Sequence, residues 1–225
     1  VMAFVTDIVP NEILDGTTHG TIQYHPSLLP KHRGPSSINW PIIQGDTMTG
    51  LTIFWPDKGL DTGPVLLQKK IPIEPDDTLG SVYFNKLFPI GVNAMIEAVE
   101  LIKSGRAQKL PQDHSLATYE GWCRSEQTVI DWSRPVTDIY NLIRGSDPNP
   151  GANTTLNGTR ISFFMASKCE MKPLEIPGTV IRLTPDGFQI AVTDGSIFVK
   201  RIQQSGQSKI KSDIDTNERR RQYDE

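Results

Sequence analysis

An α/β domain followed by a smaller, strand-rich barrel domain is the architecture this sequence predicts, on three observations. Apolar runs of strand length alternate with helical periods as far as Lys103. Beyond Thr118 the pattern changes to short strands joined by tight-turn signals at Asn157-Gly158, Pro185-Asp186-Gly187 and Asp194-Gly195. Between the two lies a polar, proline-bearing stretch, 109–118, that reads as a linker. The boundaries that follow are 1–108, the linker 109–118, a barrel domain over 119–212 and a polar tail over 213–225.

Residues 1–5 are short, continuous and apolar, the signature of a buried strand, and Pro10 opens a short helix that ends near Gly16. A strand with no earlier neighbour needs preceding βαβ units to cover it, so the chain is expected to be a fragment truncated at its start. Thr21-Ile22-Gln23-Tyr24 is the next strand and delivers His25 at its end. Two prolines exclude regular structure from 26–34. Ser36 or Ser37 then caps a helix that buries Ile38, Trp40, Ile42 and Ile43 and stops at Gln44-Gly45-Asp46. Strands over 51–55 and 65–73 flank a loop carrying one aspartate, Asp61. Asp76-Asp77-Thr78 caps a long helix over 79–103, whose Ala94, Met95, Ala98, Leu101 and Ile102 recur at helical spacing as a core stripe. Residues 135–144 form a short amphipathic helix ended by Gly145, and the rest is strands near 156–165, 180–183, 188–192 and 197–202.

Composition narrows the class. A chain of 225 residues with 37% hydrophobic and 22% charged residues is ordinary for a globular protein. A net charge of −3 exerts no global pull on nucleic acid. No apolar run reaches membrane-spanning length and no charged-then-apolar stretch precedes a cleavage site in this sequence, so no membrane partner is expected. Cys123 and Cys169 lack partners at ligand spacing, which predicts no metal site and reduced thiols in a cytoplasmic protein. No G-x-G-x-x-G follows a strand, which excludes a dinucleotide-dependent dehydrogenase within this chain.

The chemistry concentrates between His25 and Gly63. A histidine and a carboxylate, His25 and Asp61, delivered by neighbouring strand ends make a general acid/base pair, the carboxylate orienting the imidazole and stabilising its charged form. Taken singly, such a histidine is more often structural and Asp-Thr-Gly is a common turn. Their spacing, with His25-Pro26-Ser27-Leu28-Leu29-Pro30 and Arg33-Gly34 between them, is more specific.

These stretches, with Ile38-Asn39-Trp40, Ile53-Phe54-Trp55 and Leu66-Leu67-Gln68-Lys69, resemble the folate-dependent formyltransferase family, strongly over 20–151 and weakly beyond. Within it they are most similar to the branch of hydrolase domains carried by 10-formyltetrahydrofolate dehydrogenases, with methionyl-tRNA formyltransferases next. The resemblance implies a Rossmann-like formyltransferase domain, truncated at its amino end, followed by an OB-like β-barrel. It implies a longer parent chain with room for a further domain.

The activity it implies is removal or transfer of the formyl group of 10-formyltetrahydrofolate, to water or to an amine acceptor such as initiator tRNA. The tetrahedral intermediate then needs hydrogen-bond donors for its oxyanion, and the departing folate nitrogen needs a proton. Position by position, His25 matches the family's catalytic histidine, and Asp61 the aspartate that orients it and binds the nucleophile. Gln23 stands where most members carry the asparagine that donates to the formyl oxygen, one methylene longer. The loop Pro56, Asp57, Lys58, Gly59, Leu60 is expected to lie against the folate ring, with Thr62 and Gly63 completing its turn. Ser27, Leu28, Leu29, Pro30, Arg33 and Gly34 form the loop on the substrate side, where Lys31 and Arg33 either meet an anionic acceptor or are solvated. His19, His32 and His114 read as structural, and Trp40, Trp55, Trp122 and Trp132 as core or domain-contact residues. The competing reading, from a different class, is a truncated chain that binds without catalysis, its barrel serving as a nucleic-acid or protein contact module.

Overall fold

The structure, a computed structural model, describes residues 1–3, 5 and 9–211, so the expected tail over 213–225 and one position of the first expected strand lie outside the described residues. The chain divides into two compact units, Val1–Cys123 and Arg124–Glu225. The first therefore takes in the stretch expected as a linker: Leu110 exchanges two backbone hydrogen bonds with Val65.

In the first unit a short helix α1 (Asn11–Asp15) precedes strand β1 (Gln23–His25). Helix α2 (Asn39–Gln44) follows and stops at Gly45, whose φ of 81° is the left-handed conformation that glycine adopts without a Cβ penalty. Strands β2 (Met48–Phe54) and β3 (Val65–Pro72) complete a sheet in the order β1-β2-β3. Its ladders are antiparallel; among the described residues, the parallel character expected of an α/β sheet reaches it through an isolated bridge between Met2 and Gln23.

The long helix begins as α3 (Leu79–Ser81), where Thr78 and Ser81 form a reciprocal capping box. It passes through a π-helical segment, Val82–Leu87, into α4 (Phe88–Lys103). Pro89 accounts for the wide turn. Lacking an N–H, it cannot bond back one turn, and the register before it loosens so that Phe88 N–H reaches the carbonyl of Tyr83. Of the expected stripe, Ala94 and Ala98 are fully buried, while Met95, Leu101 and Ile102 pack at the margin of the core. Ile42, Leu51, Ile53, Val82 and Leu87 fill the centre, each contributing about 1.5–3 kcal/mol by burial.

The second unit packs helix α5 (Val136–Gly145) on one sheet. Its strands are β4 (Ala152–Leu156), β5 (Thr159–Cys169), β6 (Val180–Thr184), β7 (Gly187–Ala191), β8 (Ser196–Gln204) and β9 (Ile210–Lys211). Asn157 and Gly158, at φ of 48° and 79°, turn β4 into β5 as a two-residue hairpin of the primed type expected for Asn-Gly. Val136, Ile139 and Ile143 of α5 meet Phe163, Ile190, Ile197 and Val199 of the sheet. The expected closed, OB-like barrel is not found among the described residues. The strand order is β4-β5-β8-β7-β6, with β9 beside β8, and no ladder joins β4 to β6. Tight turns fix which strands are neighbours, but closure requires pairing between distant edges, which the turns do not encode.

Candidate active site

His25 is the last residue of β1 and pairs across the ladder with Thr52 of β2. At the far end of β2 the chain leaves for the loop that carries Asp61 and returns through Pro64, whose carbonyl accepts from the Trp55 N–H. Histidine and aspartate thus come from adjacent strands, and both side chains are buried.

The hydrogen bonds of His25 set its tautomer. Nε2 lies 2.8 Å from the carbonyl oxygen of His32. A carbonyl only accepts, so Nε2 carries the proton and, in the neutral ring, Nδ1 carries the lone pair. Nδ1 faces Asp61 Oδ2 at 3.6 Å, and the same oxygen accepts from the Gly34 N–H at 2.8 Å. Burial pushes the His25 pKa below its ordinary value, while the charge of Asp61 pulls the other way. The ring is therefore neutral at neutral pH, with a nitrogen free to accept a proton.

The same burial couples protonation to folding. The unfolded chain binds the His25 proton more readily than the folded one, and stability rises with pH wherever the unfolded state holds more protons. This contribution is complete above the ordinary value of 6.5 and is lost as pH falls below it. Urea midpoints compared between about pH 7.5 and about pH 5.5 should fall more for the natural chain than for His25→Gln. Equal falls contradict the buried, neutral histidine.

A cavity of about 650 Å³ opens over this pair, a volume typical of small-molecule sites. Gln23, His25, Gly34, Asp61 and the loop residues Pro56, Asp57, Lys58, Gly59 and Leu60 line it. Gln23 and His25 are two apart on β1 and project to the same face. Asp57 Oδ1 accepts from the Gly59 N–H and the Thr62 hydroxyl, which gives the loop its shape. Gly63 is required by space. A Cβ there would stand 1.8 Å from the Trp55 carbonyl oxygen, a backbone atom with no freedom to retreat. Gly63→Ala is expected to destabilise the chain by at least about 2 kcal/mol, measured by denaturant unfolding.

The remaining expected residues lie outside the cavity wall. Ser27, Leu28, Leu29 and Pro30 form a turn tied to the sheet through Thr52, whose hydroxyl donates to the Ser27 carbonyl and accepts from the Leu29 N–H. Gln68 reinforces it by donating to the Leu29 carbonyl and to Thr52. Arg33 is buried, so its guanidinium neither meets an acceptor in the cavity nor is solvated. It gives Nε and Nη2 to Gln112 Oε1 and Nη2 to His114 Nδ1. His32 is structural as expected, its ring held between Asp46 and Glu120. Trp122, expected in a core or domain contact, is half exposed and lines the cavity with Tyr119.

Sequence reasoning missed Thr52, Gln68 and Gln112. Thr52 and Gln68 sit in strands and Gln112 in a polar stretch, and none breaks or completes a periodic pattern. Among the described residues no group of three His, Cys, Asp or Glu is placed to hold a metal ion, and no helix is long and apolar enough to cross a membrane.

Comparison with known proteins gives a consistent picture. A family described as formyl transferase matches residues 1–99, and one described as formyl transferase, C-terminal domain, matches 123–216. Mitochondrial 10-formyltetrahydrofolate dehydrogenase of Mus musculus is 42% identical over 214 residues, covering 90% of this chain and 23% of that protein. Methionyl-tRNA formyltransferase of Syntrophus aciditrophicus is 38% identical over 210 residues, covering 93% of this chain and 67% of that protein. This chain thus spans under a quarter of the length of the dehydrogenase. The crystal structure of HypX from Aquifex aeolicus, in complex with tetrahydrofolic acid, superposes with a TM-score of 0.78 at 23% identity, covering 94% of this chain and 37% of that one.

Proposed function

Given that the chain belongs to the formyl transferase family, we propose that it removes the formyl group of 10-formyltetrahydrofolate, with water as acceptor and His25 and Asp61 handling the protons. The observation that carries this reading is the approach of His25 Nδ1 to the Asp61 carboxylate, 3.6 Å apart, in the wall of a cavity large enough for a pterin.

The chemistry follows from that geometry. The loop Pro56 to Leu60 receives the folate ring and brings the formyl carbon over the pair. Gln23, whose side chain shares the face of His25, donates its amide N–H to the formyl oxygen and stabilises the charge that develops there. Asp61 and His25 hold the attacking water, and as its oxygen bonds to the formyl carbon His25 Nδ1 takes the proton. The imidazolium so formed is stabilised by the Asp61 charge and keeps its Nε2–H on the His32 carbonyl. The tetrahedral intermediate collapses as the carbon–nitrogen bond breaks. His25 Nδ1 returns the proton to the departing folate nitrogen, leaving tetrahydrofolate and formate, with one proton passing to solvent.

Similarity to a methionyl-tRNA formyltransferase supports a second reading, in which the acceptor is the amine of charged initiator tRNA. The two readings separate in one assay of the fate of the formyl group, with 10-formyltetrahydrofolate supplied alone and with charged initiator tRNA. Formate equal to the tetrahydrofolate produced, without any amine, is the expected result. Consumption only in the presence of the tRNA selects the second reading. No consumption under either condition leaves the non-catalytic binding module.

A further inference from the structure

We propose that the segment 112–120 is a positioning strap for the catalytic pair, with Gln112 holding the Asp61 turn and Glu120, acting through His32, holding the ring of His25. This rests on the catalytic roles given above to His25 and Asp61.

The orientation of the Gln112 amide is dictated by its neighbours. Arg33 has only donors, and it gives Nε at 3.3 Å and Nη2 at 2.7 Å to Gln112 Oε1. The amide nitrogen therefore faces the other way, and it donates to the carbonyls of Asp61 at 2.9 Å and Gly63 at 2.7 Å. Those two carbonyls bracket Thr62. Asp61 itself stands at a φ of 55°, a backbone conformation that a non-glycine residue keeps only when its surroundings impose it. Gln112 is that imposition: it is buried, and both of its amide hydrogens are spent on this turn.

The other end of the strap works on His25. The acceptor for His25 Nε2–H is the backbone carbonyl of His32, itself at a φ of 55°. His32 is held by its ring, whose Nδ1 lies 3.2 Å from Glu120 Oε2 and whose Nε2 lies 3.0 Å from Asp46 Oδ2. Its N–H donates to the Thr118 hydroxyl at 2.8 Å. Arg33 N–H bonds to the Thr118 carbonyl and Glu120 N–H to the Arg33 carbonyl, so strap and loop form a short ladder. Gly34, which supplies the N–H on Asp61, allows that close approach. A Cβ on it would stand 2.6 Å from the Tyr119 ring and 2.8 Å from the Glu120 carbonyl oxygen. A residue this far from the formyl group can then act on the rate, since misplacement of a reacting group by about 1 Å costs on the order of a hundredfold.

The test compares kcat, KM for 10-formyltetrahydrofolate and thermal midpoint in the full chain. Gln112→Glu keeps an acceptor for Arg33 and removes both N–H donors. It should lose about ten- to a hundredfold in kcat with little change in KM, and with a lower midpoint because a carboxylate oxygen then faces the Asp61 and Gly63 carbonyls. Glu120→Ala should lose kcat in the same way, and Glu120→Gln, whose amide can accept from or donate to His32 Nδ1, should recover most of it. In an Asp61→Asn background Gln112→Glu should cause no further loss, because its effect passes through Asp61. Folded Gln112→Glu and Glu120→Ala chains with unaltered kcat overturn the strap, as does an equal further loss in the Asp61→Asn background. Should Gln112→Glu fail to fold, the Glu120 pair decides: equal rates for Glu120→Ala and Glu120→Gln overturn it. Asp61→Asn turning over normally removes the catalytic reading itself. Asp61→Asn inactive beside fully active strap variants removes only the strap.

Discussion

Asp61→Asn is expected to lower turnover of 10-formyltetrahydrofolate by about a thousandfold while leaving the chain folded. Asparagine suits this position better than alanine as a probe. Asp61 occupies the left-handed region at a φ of 55°, which asparagine tolerates and alanine does not. An asparagine oxygen can still accept from the Gly34 N–H, so the turn keeps its anchor. What disappears is the negative charge beside His25 Nδ1. Without it the imidazolium loses the partner that offsets its burial, and proton transfer from the nucleophile becomes correspondingly unfavourable. Initial rates at saturating folate, with unfolding curves as control, measure the effect. A loss under about tenfold contradicts the role given to the carboxylate.

His25→Gln should cost a similar amount, about a hundred- to a thousandfold, for the complementary reason. Glutamine places an amide nitrogen near the position of imidazole Nε2 and preserves the donor to the His32 carbonyl, but it has no titratable nitrogen facing Asp61. The loop after β1 stays anchored while the proton acceptor is gone. If the two residues act as one unit, the double variant is no slower than about threefold below the worse single variant. Multiplying losses, measured as kcat in the double variant, would instead mean two independent sites of action.

The juxtaposition of His25 and Asp61 was legible in the sequence because it depends on local order. An apolar run predicts a strand, a histidine at its end predicts a crevice residue, and a glycine-flanked aspartate predicts a turn. The structure delivers both residues from neighbouring strands. What holds them was not legible. Gln112 lies in a polar stretch whose composition reads as a linker, and only the three-dimensional path brings it against Asp61, 51 positions away. Thr52 looks like any threonine in a strand, yet its hydroxyl joins Ser27, Leu29 and Gln68. Arg33 shows the converse error. A basic residue in a loop near an active site suggests an anion partner, but here it is buried against Gln112 and His114. Hydrophobic patterning locates elements, whereas buried polar bonds depend on side chains meeting across long separations.

The same division appears in the second unit. Asn157-Gly158 announces its hairpin in the sequence and adopts it. Among the described residues no ladder closes the sheet that the hairpins build, because whether β4 and β6 meet depends on the curvature accumulated over all the strands between them. In the first unit the long helix was legible from its period and cap. Its π-helical turn comes from the single proline at the start of α4, which propensity alone assigns no such consequence.

The most direct test of the account is the rate at which tetrahydrofolate appears from 10-formyltetrahydrofolate, measured side by side for the natural chain and Asp61→Asn after both are shown to bind folate equally. The expected result is turnover by the natural chain without any amine acceptor and a loss of about a thousandfold in the variant. Equal rates in the two chains, at equal folate occupancy, would contradict the claim that His25 and Asp61 move the protons of this reaction.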